Sequence, residues 1–236
     1  MQQRLGFRIC RLAFLGAASL CAIECATAQS SLKPVSLSQL CVTEGSIELS
    51  SNNRLQVNVP NMRAYLNAST PQREEARFTY SGSTGNEKPL GSGAIRRQFG
   101  LKLHSEDACN LVYVMWRIEP DRKIVVSVKS NPGQHTSAEC GNRGYTNIKP
   151  AHIAPTPAVN AGETHTLRAQ MDGAELTVYA DGTLVWQGSV GADAAALNGP
   201  VGIRSDNAAL QIDLFAPEPN SAPGGAALAC RKGETD

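Results

Sequence analysis

Apolar and polar residues alternate one for one along much of this chain, a period that fits strands with one face in a core and one outside it. Leu55, Val57 and Val59 alternate with Gln56 and Asn58, and Ala76, Phe78 and Tyr80 with Arg77 and Thr79. From Ile95 to Leu103 the apolar set is Phe99, Leu101 and Leu103, with Gln98, Gly100 and Lys102 opposite. Leu111 to Glu119 and Ile124 to Lys129 flank Pro120-Asp121-Arg122, residues that favour a turn, so this pair reads as a central hairpin. Thr166 to Met171, Glu175 to Ala180 and Thr183 to Gly188 are separated by Asp172-Gly173 and Asp181-Gly182, which predicts a three-strand meander. A last strand runs from Leu210 to Phe215. No stretch carries a long helical period with caps, and no repeat of solenoid or propeller length is present. About ten evenly spaced strands predict an all-β fold, a two-sheet antiparallel β-sandwich or jelly roll.

The N-terminus limits where such a fold works. Arg4, Arg8 and Arg11 precede the apolar run Leu12 to Ile23, which ends at Ala26-Thr27-Ala28. That order is a signal peptide over residues 1–28, cut before Gln29. Its apolar run of about 12 residues is short of the roughly 20 that cross a bilayer, so no membrane association is expected after cleavage. The expected location is secreted or periplasmic. Of seven cysteines three leave with the signal, and Cys41, Cys109, Cys140 and Cys230 remain as an even set for two disulfides. Three pairings are possible. Cys109 with Cys140 would flank one hairpin and Cys41 with Cys230 would join the chain ends, and this pairing is the expectation. No Cys-x-x-Cys and no histidine cluster asks for a metal, and no motif asks for a cofactor.

Losing the signal removes three arginines and Glu24 from the 22 basic and 21 acidic residues, leaving a mature chain near neutrality. With 18% charged residues it has no broad field for nucleic acid or an anionic membrane. The remaining 208 residues suit one large sandwich. The organisation expected is a flexible lead-in over 29–40, a sandwich domain over 41–216, and a Pro/Gly-rich tail over 217–236 that ends in a tethering cysteine.

Three segments carry a resemblance. They are His165-Thr166-Leu167-Arg168, then Glu175 through Trp186 with its Asp-Gly-Thr-Leu-Val-Trp hairpin, then Gly199-Pro200-Val201-Gly202-Ile203-Arg204-Ser205-Asp206-Asn207. Over roughly Glu74 to Phe215 the chain resembles the concanavalin A-like lectin/glucanase superfamily, with its laminin-G-like and keto-glycoside-hydrolase-related members. The resemblance implies a jelly roll that binds or processes glycans in the concave groove of its larger sheet, or in some members binds protein. Glucanases of this kind place an acid and a nucleophile on a Glu-x-Asp-x-x-Glu strand. The nearest stretch here, Glu119-Pro120-Asp121-Arg122-Lys123-Ile124, ends in Ile and holds a turn proline, so that motif is absent.

If Phe99, Leu101 and Leu103 face the core, Gln98, Lys102 and His104 face out, and the neighbouring strand adds Tyr113, Arg117 and Glu119 on the same side. An apolar ring surface beside fixed donors and acceptors is what a sugar needs. The glycine-punctuated loop His135 to Asn147 adds Arg143 and Tyr145 at one end. The ligand-binding set expected is therefore Gln98, Lys102, His104, Tyr113, Arg117, Glu119, Arg143 and Tyr145; a solvated sheet face with cross-strand charge pairs is the plain alternative. Carbohydrate is the expected partner of a lectin-like, non-catalytic protein. A polysaccharide lyase or glycoside hydrolase with another constellation is the first alternative, and a structural or protein-binding laminin-G-like module the second.

Overall fold

In a computed structural model, the structure describes residues 31–219 and Cys230. The signal peptide, its cleavage point and most of the tail lie outside these residues. In chain order the strands are β1 (Leu32–Pro34), β2 (Leu40–Glu44), β3 (Glu48–Leu49), β4 (Leu55–Val57), β5 (Asn61–Leu66), β6 (Arg73–Ser83), β7 (Arg97–Leu103) and β8 (Leu111–Glu119). They continue as β9 (Lys123–Lys129), β10 (Tyr145–Asn147), β11 (His152–Ile153), β12 (Thr164–Asp172), β13 (Glu175–Ala180), β14 (Thr183–Ser189), β15 (Gly202–Asp206) and β16 (Ala208–Pro217). Two helices of four residues each, α1 (Ser137–Cys140) and α2 (Ala192–Ala195), lie in loops.

All strand pairs are antiparallel and fall into two sheets. One holds nine strands, ordered β11-β14-β13-β12-β6-β16-β4-β3 with β1 added against β16; the other holds seven, ordered β10-β9-β8-β7-β15-β5-β2. The expected hairpin is β8–β9, and the expected meander is β12–β13–β14. Its second turn is Asp181-Gly182, both at positive φ as a type I′ hairpin needs. The first turn differs by one residue from the expectation: Asp172 pairs with Glu175, so Gly173-Ala174 makes the turn, with Gly173 supplying the positive φ. The lead-in also differs, because Leu32 to Pro34 pair with Pro217 to Phe215 instead of hanging loose.

The period-two pattern puts the core between the sheets. Phe99, Leu101, Leu103, Val112, Val114 and Trp116 on the seven-stranded sheet are fully buried against Ala76, Phe78, Leu167, Val178 and Ile212 of the other. Phe78 is the cross-sheet contact at the centre, 4.9 Å from the Phe99 ring and 5.6 Å edge-on from Trp116. Such contacts join sheets that no backbone hydrogen bond connects. Among the described residues no helix is long and apolar enough to cross a membrane.

Both disulfides pair as expected. Cys41 bonds Cys230, 189 residues away, and Cys109 bonds Cys140 across 31 residues. The second ties the segment before β8 to α1 and so fixes the loop leading into β10. Replacing Cys109 with Ser is expected to lower unfolding stability by about 3–4 kcal/mol on loop-entropy grounds. A denaturant titration checks this, and an unchanged midpoint would show that the bridge does not constrain the unfolded chain.

Candidate functional site

The outward face of the seven-stranded sheet is not an ordinary solvated face. Register places Asp206, Gln98 and Arg117 in one row across β15, β7 and β8, and Arg63, Arg204, Gly100 and Met115 in the next across β5, β15, β7 and β8. A third row runs Gly202, Lys102, Tyr113, Ser127 and Asn147. Most of these side chains pack on one another.

Asp206 is the centre of the packing and has no solvent exposure. Arg63 donates to it at 2.7 Å, Arg204 through Nε at 3.0 Å, and the Gln98 amide at 2.6 Å. Burial by itself would raise its pKa; the charges of Arg204 and Arg63 and the bonds from Gln98 and Arg204 outweigh that and hold it at about 2. Arg63 is itself buried and also donates to the Met62 and Ser205 carbonyls.

Arg204 extends from this centre over the Tyr113 ring, 4.9 Å from its centroid. Gly100 stands opposite Arg204 and leaves space that Met115 occupies: a Cβ there would lie 2.5 Å from Met115 Sδ and 2.3 Å from the Val114 carbonyl. On its other neighbour Tyr113 stacks with Tyr145, with centroids 6.0 Å apart and an interplanar angle of 22°. Lys129, buried and donating to the Ala108 carbonyl at 2.7 Å, sits 5.2 Å from the Tyr145 centroid. Tyr145 is 39% exposed and is the open aromatic surface of the group.

Beside this stack lies a cleft of about 350 Å³, within the size range of small-molecule sites. Arg96, Gln98, Tyr113, Arg117, Tyr145 and Arg204 line it, with Ser127, Asn142, Asn147 and the loop Leu90 to Ser92. Asn207, buried and at positive φ, anchors that loop by accepting from the Lys88 amide and donating to the Lys88 and Arg96 carbonyls. The Asn142 side chain lies against Gly91, where a Cβ would meet its amide at 2.1 Å. It is presented by α1, whose start is closed by a reciprocal Thr136–Glu139 capping box and whose end is held by the Cys109–Cys140 bridge.

Four of the eight expected ligand residues, Gln98, Tyr113, Arg117 and Tyr145, meet in this cleft. The other four do not line it, each for a visible reason. Lys102 is 3% exposed, packed near the Tyr65 ring and close enough to buried Glu74 for their charges to interact. His104 ends β7 at positive φ, and its Nδ1 meets the Leu197 carbonyl. Glu119 is ion-paired with Arg97 at 2.5 Å. Arg143 turns back on the Cys140 and Glu139 carbonyls. Sequence reasoning missed Arg204, Arg96, Asn142 and Asn147. Arg204 and Asp206 alternate with Ile203 and Ser205, a period-two signal that was available, whereas nothing in the spacing announces Arg96 or Asn142. The cleft also lies on the seven-stranded sheet and not, as the resemblance implied, on the larger one.

Because the folded pKa of Asp206 is depressed, its stabilisation is complete above the ordinary carboxylate range and is lost as pH falls from about 4 through 2. The shift corresponds to about 2 kcal/mol. Asp206→Asn is expected to destabilise by about 3–5 kcal/mol at neutral pH, since it leaves buried guanidinium groups without their counter-charge. Denaturant midpoints from pH 7 to 2 test both. A variant as stable as the parent, or one with the same acid-side slope, would contradict the assignment.

No protein-family model and no curated protein matches the chain, whereas solved structures do match in shape. The carbohydrate binding module CBM66 from Bacillus subtilis is similar with TM-score 0.50 at 14% identity, over 74% of this chain and 91% of that one. The Emp46p carbohydrate recognition domain gives 0.48 at 12% identity over 78% and 90%, and the Crh5 transglycosylase in complex with NAG gives 0.49 at 12% over 83% and 86%. Taken with the two antiparallel sheets, the likeness to the first of these shows the fold, an antiparallel jelly-roll β-sandwich.

Proposed function

We propose that this is an exported glycan-binding protein whose ligand occupies the cleft on the seven-stranded sheet. The observation that carries the reading is the stack Arg204, Tyr113 and Tyr145 set beside side-chain amides, of which Gln98 is held by Asp206. A sugar offers an apolar ring face and a rim of hydroxyls, and it is bound by an open aromatic surface next to donors and acceptors that do not need to be ordered first. Tyr145 supplies the surface, and Gln98, Asn142, Asn147 and Ser127 supply the polar groups. Gln98 is oriented by its bond to Asp206. The fold shared with a carbohydrate binding module supports the same reading. The signal peptide read from the sequence and two disulfides are compatible with a place outside the cytoplasm.

The lining favours holding a glycan over cutting it. Hydrolysis by the usual route needs two carboxyl groups across the bond. The residues lining this cleft include no Asp, Glu or His, and the one acid at its floor, Asp206, is fully buried and committed to Arg63, Arg204 and Gln98.

A glycan array probed with purified protein, with parallel assays for reducing and unsaturated ends, is expected to give binding and no product. Tyr145→Ala, which deletes the ring stacked on Tyr113, should lower stability by only about 1 kcal/mol and leave the protein folded. It should weaken binding about tenfold, equivalent to roughly 1.4 kcal/mol. Product release would replace the reading with a catalytic one, and binding unaffected by Tyr145→Ala would move the ligand elsewhere on the protein.

A further inference from the structure

We propose that the cleft selects saccharides bearing a carboxylate, with Arg96 and Arg117 as the pair that receives it. The inference rests on the glycan-binding reading and adds the ligand's charge.

The charge of the lining departs from that of the chain. The whole sequence has 22 basic and 21 acidic residues, whereas the cleft is lined by three arginines and no acid. The positive charge is therefore a local arrangement and not a by-product of a basic protein. The three arginines are not equivalent. Arg204 is answered by Asp206 at 3.0 Å, in a cluster already closed by Arg63 and Gln98. Arg96 has no acidic partner among the described residues. Arg117 has Asp121, but at 3.9 Å and with that carboxylate 70% exposed, where water screens it.

Arg117 is an unusual surface arginine in a second respect. Its side chain is only 11% exposed, and its Nε is buried with no hydrogen-bond partner among the described residues. A buried guanidinium donor left unmatched is costly. Burial and the charge of Arg96 both push the Arg117 pKa down, with Asp121 opposing weakly. Two like charges thus face one cleft, one of them partly desolvated, with only the exposed Asp121 to answer them. An anion entering there relieves the repulsion and gives the two guanidinium groups a close counter-charge.

The surroundings specify what carries the anion. A small inorganic ion would have no use for Tyr145, Asn142 and Asn147, which suit a ring and hydroxyls. A guanidinium presents two parallel N–H groups that match the two oxygens of a carboxylate; a sulfate ester offers a similar pair, so the test sets the two against each other.

Titration calorimetry on the full secreted chain tests this with oligosaccharides of galacturonate, glucuronate and mannuronate, each paired with its methyl ester, and a sulfated neutral oligosaccharide. At least one acid should bind about ten- to a hundredfold more tightly than its ester, as charge-assisted hydrogen bonds imply. The margin should shrink as salt rises. Arg96→Ala and Arg117→Ala should remove the margin while leaving the ester's affinity within about threefold, and Arg117→Lys should restore only part of it. Arg77→Ala, which deletes an exposed cation on the other sheet, should leave the margin intact. Melting curves confirm that each variant is folded; an undiminished acid margin in folded Arg96→Ala and Arg117→Lys would overturn the assignment. Acid and ester bound equally would overturn the inference and leave glycan binding standing. Preference for the sulfated sugar would overturn the choice of carboxylate. Silence from every saccharide would overturn both.

Discussion

A carboxylate sealed from water cannot stay ionised unless fixed positive charge and hydrogen bonds replace the solvent it has lost, and this requirement shapes the seven-stranded sheet. Asp206 meets it with Arg63 on one neighbouring strand, Gln98 on the other, and Arg204 from its own strand. The consequences spread from there. Arg204, held at its Nε, lies over Tyr113, and Tyr113 in turn stacks on Tyr145. Asn207, the next residue along the chain, fixes the loop that carries Leu90 to Ser92. One short segment therefore sets the floor, the aromatic wall and the rim of the cleft.

This arrangement reverses the usual roles of a sandwich's faces. The inner faces do the ordinary work of burying apolar rows, with Phe78 joined to Phe99 and Trp116 across the sheets. The outer face of the seven-stranded sheet is also closely packed, but by arginines, an acid, an amide and tyrosines that satisfy one another. Such packing leaves little to order when a ligand arrives, which is the physical advantage of a preformed site. It also leaves Arg96 and Arg117, the two cleft arginines outside the Asp206 cluster, with only the exposed Asp121 as counter-charge.

What the sequence made legible was whatever depends on local period and covalent logic. Alternation at Phe99, Leu101 and Leu103 and at Val112, Val114 and Trp116 gave the correct inward faces, and even cysteine count with chain position gave the pairing that the structure holds. Tyr113, Arg117 and Gln98 were found because they share a face with period two. The same rule cannot say whether an outward side chain is wet or buried by its neighbours, so Lys102, at 3% exposed, was read as open to ligand. Nor can period place a loop: Asn142 reaches the cleft only because a disulfide and a capped four-residue helix carry it there. Strand β5 holds the same alternation, Met62 and Ala64 inside with Arg63 outside, but a buried arginine in that register became intelligible only once Asp206 stood beside it.

The account stands on the ligand being held by this outer face, between the tyrosine stack and the Arg96–Arg117 end, and not by the larger sheet or a sandwich edge. A crystal structure of the protein with a bound oligosaccharide tests it most directly. The account predicts sugar density against Tyr145 with oxygens in reach of the Arg96 and Arg117 guanidinium groups, and with the Asp206 cluster unmoved. Density on the outer face of the nine-stranded sheet, with this cleft left to solvent, would contradict it.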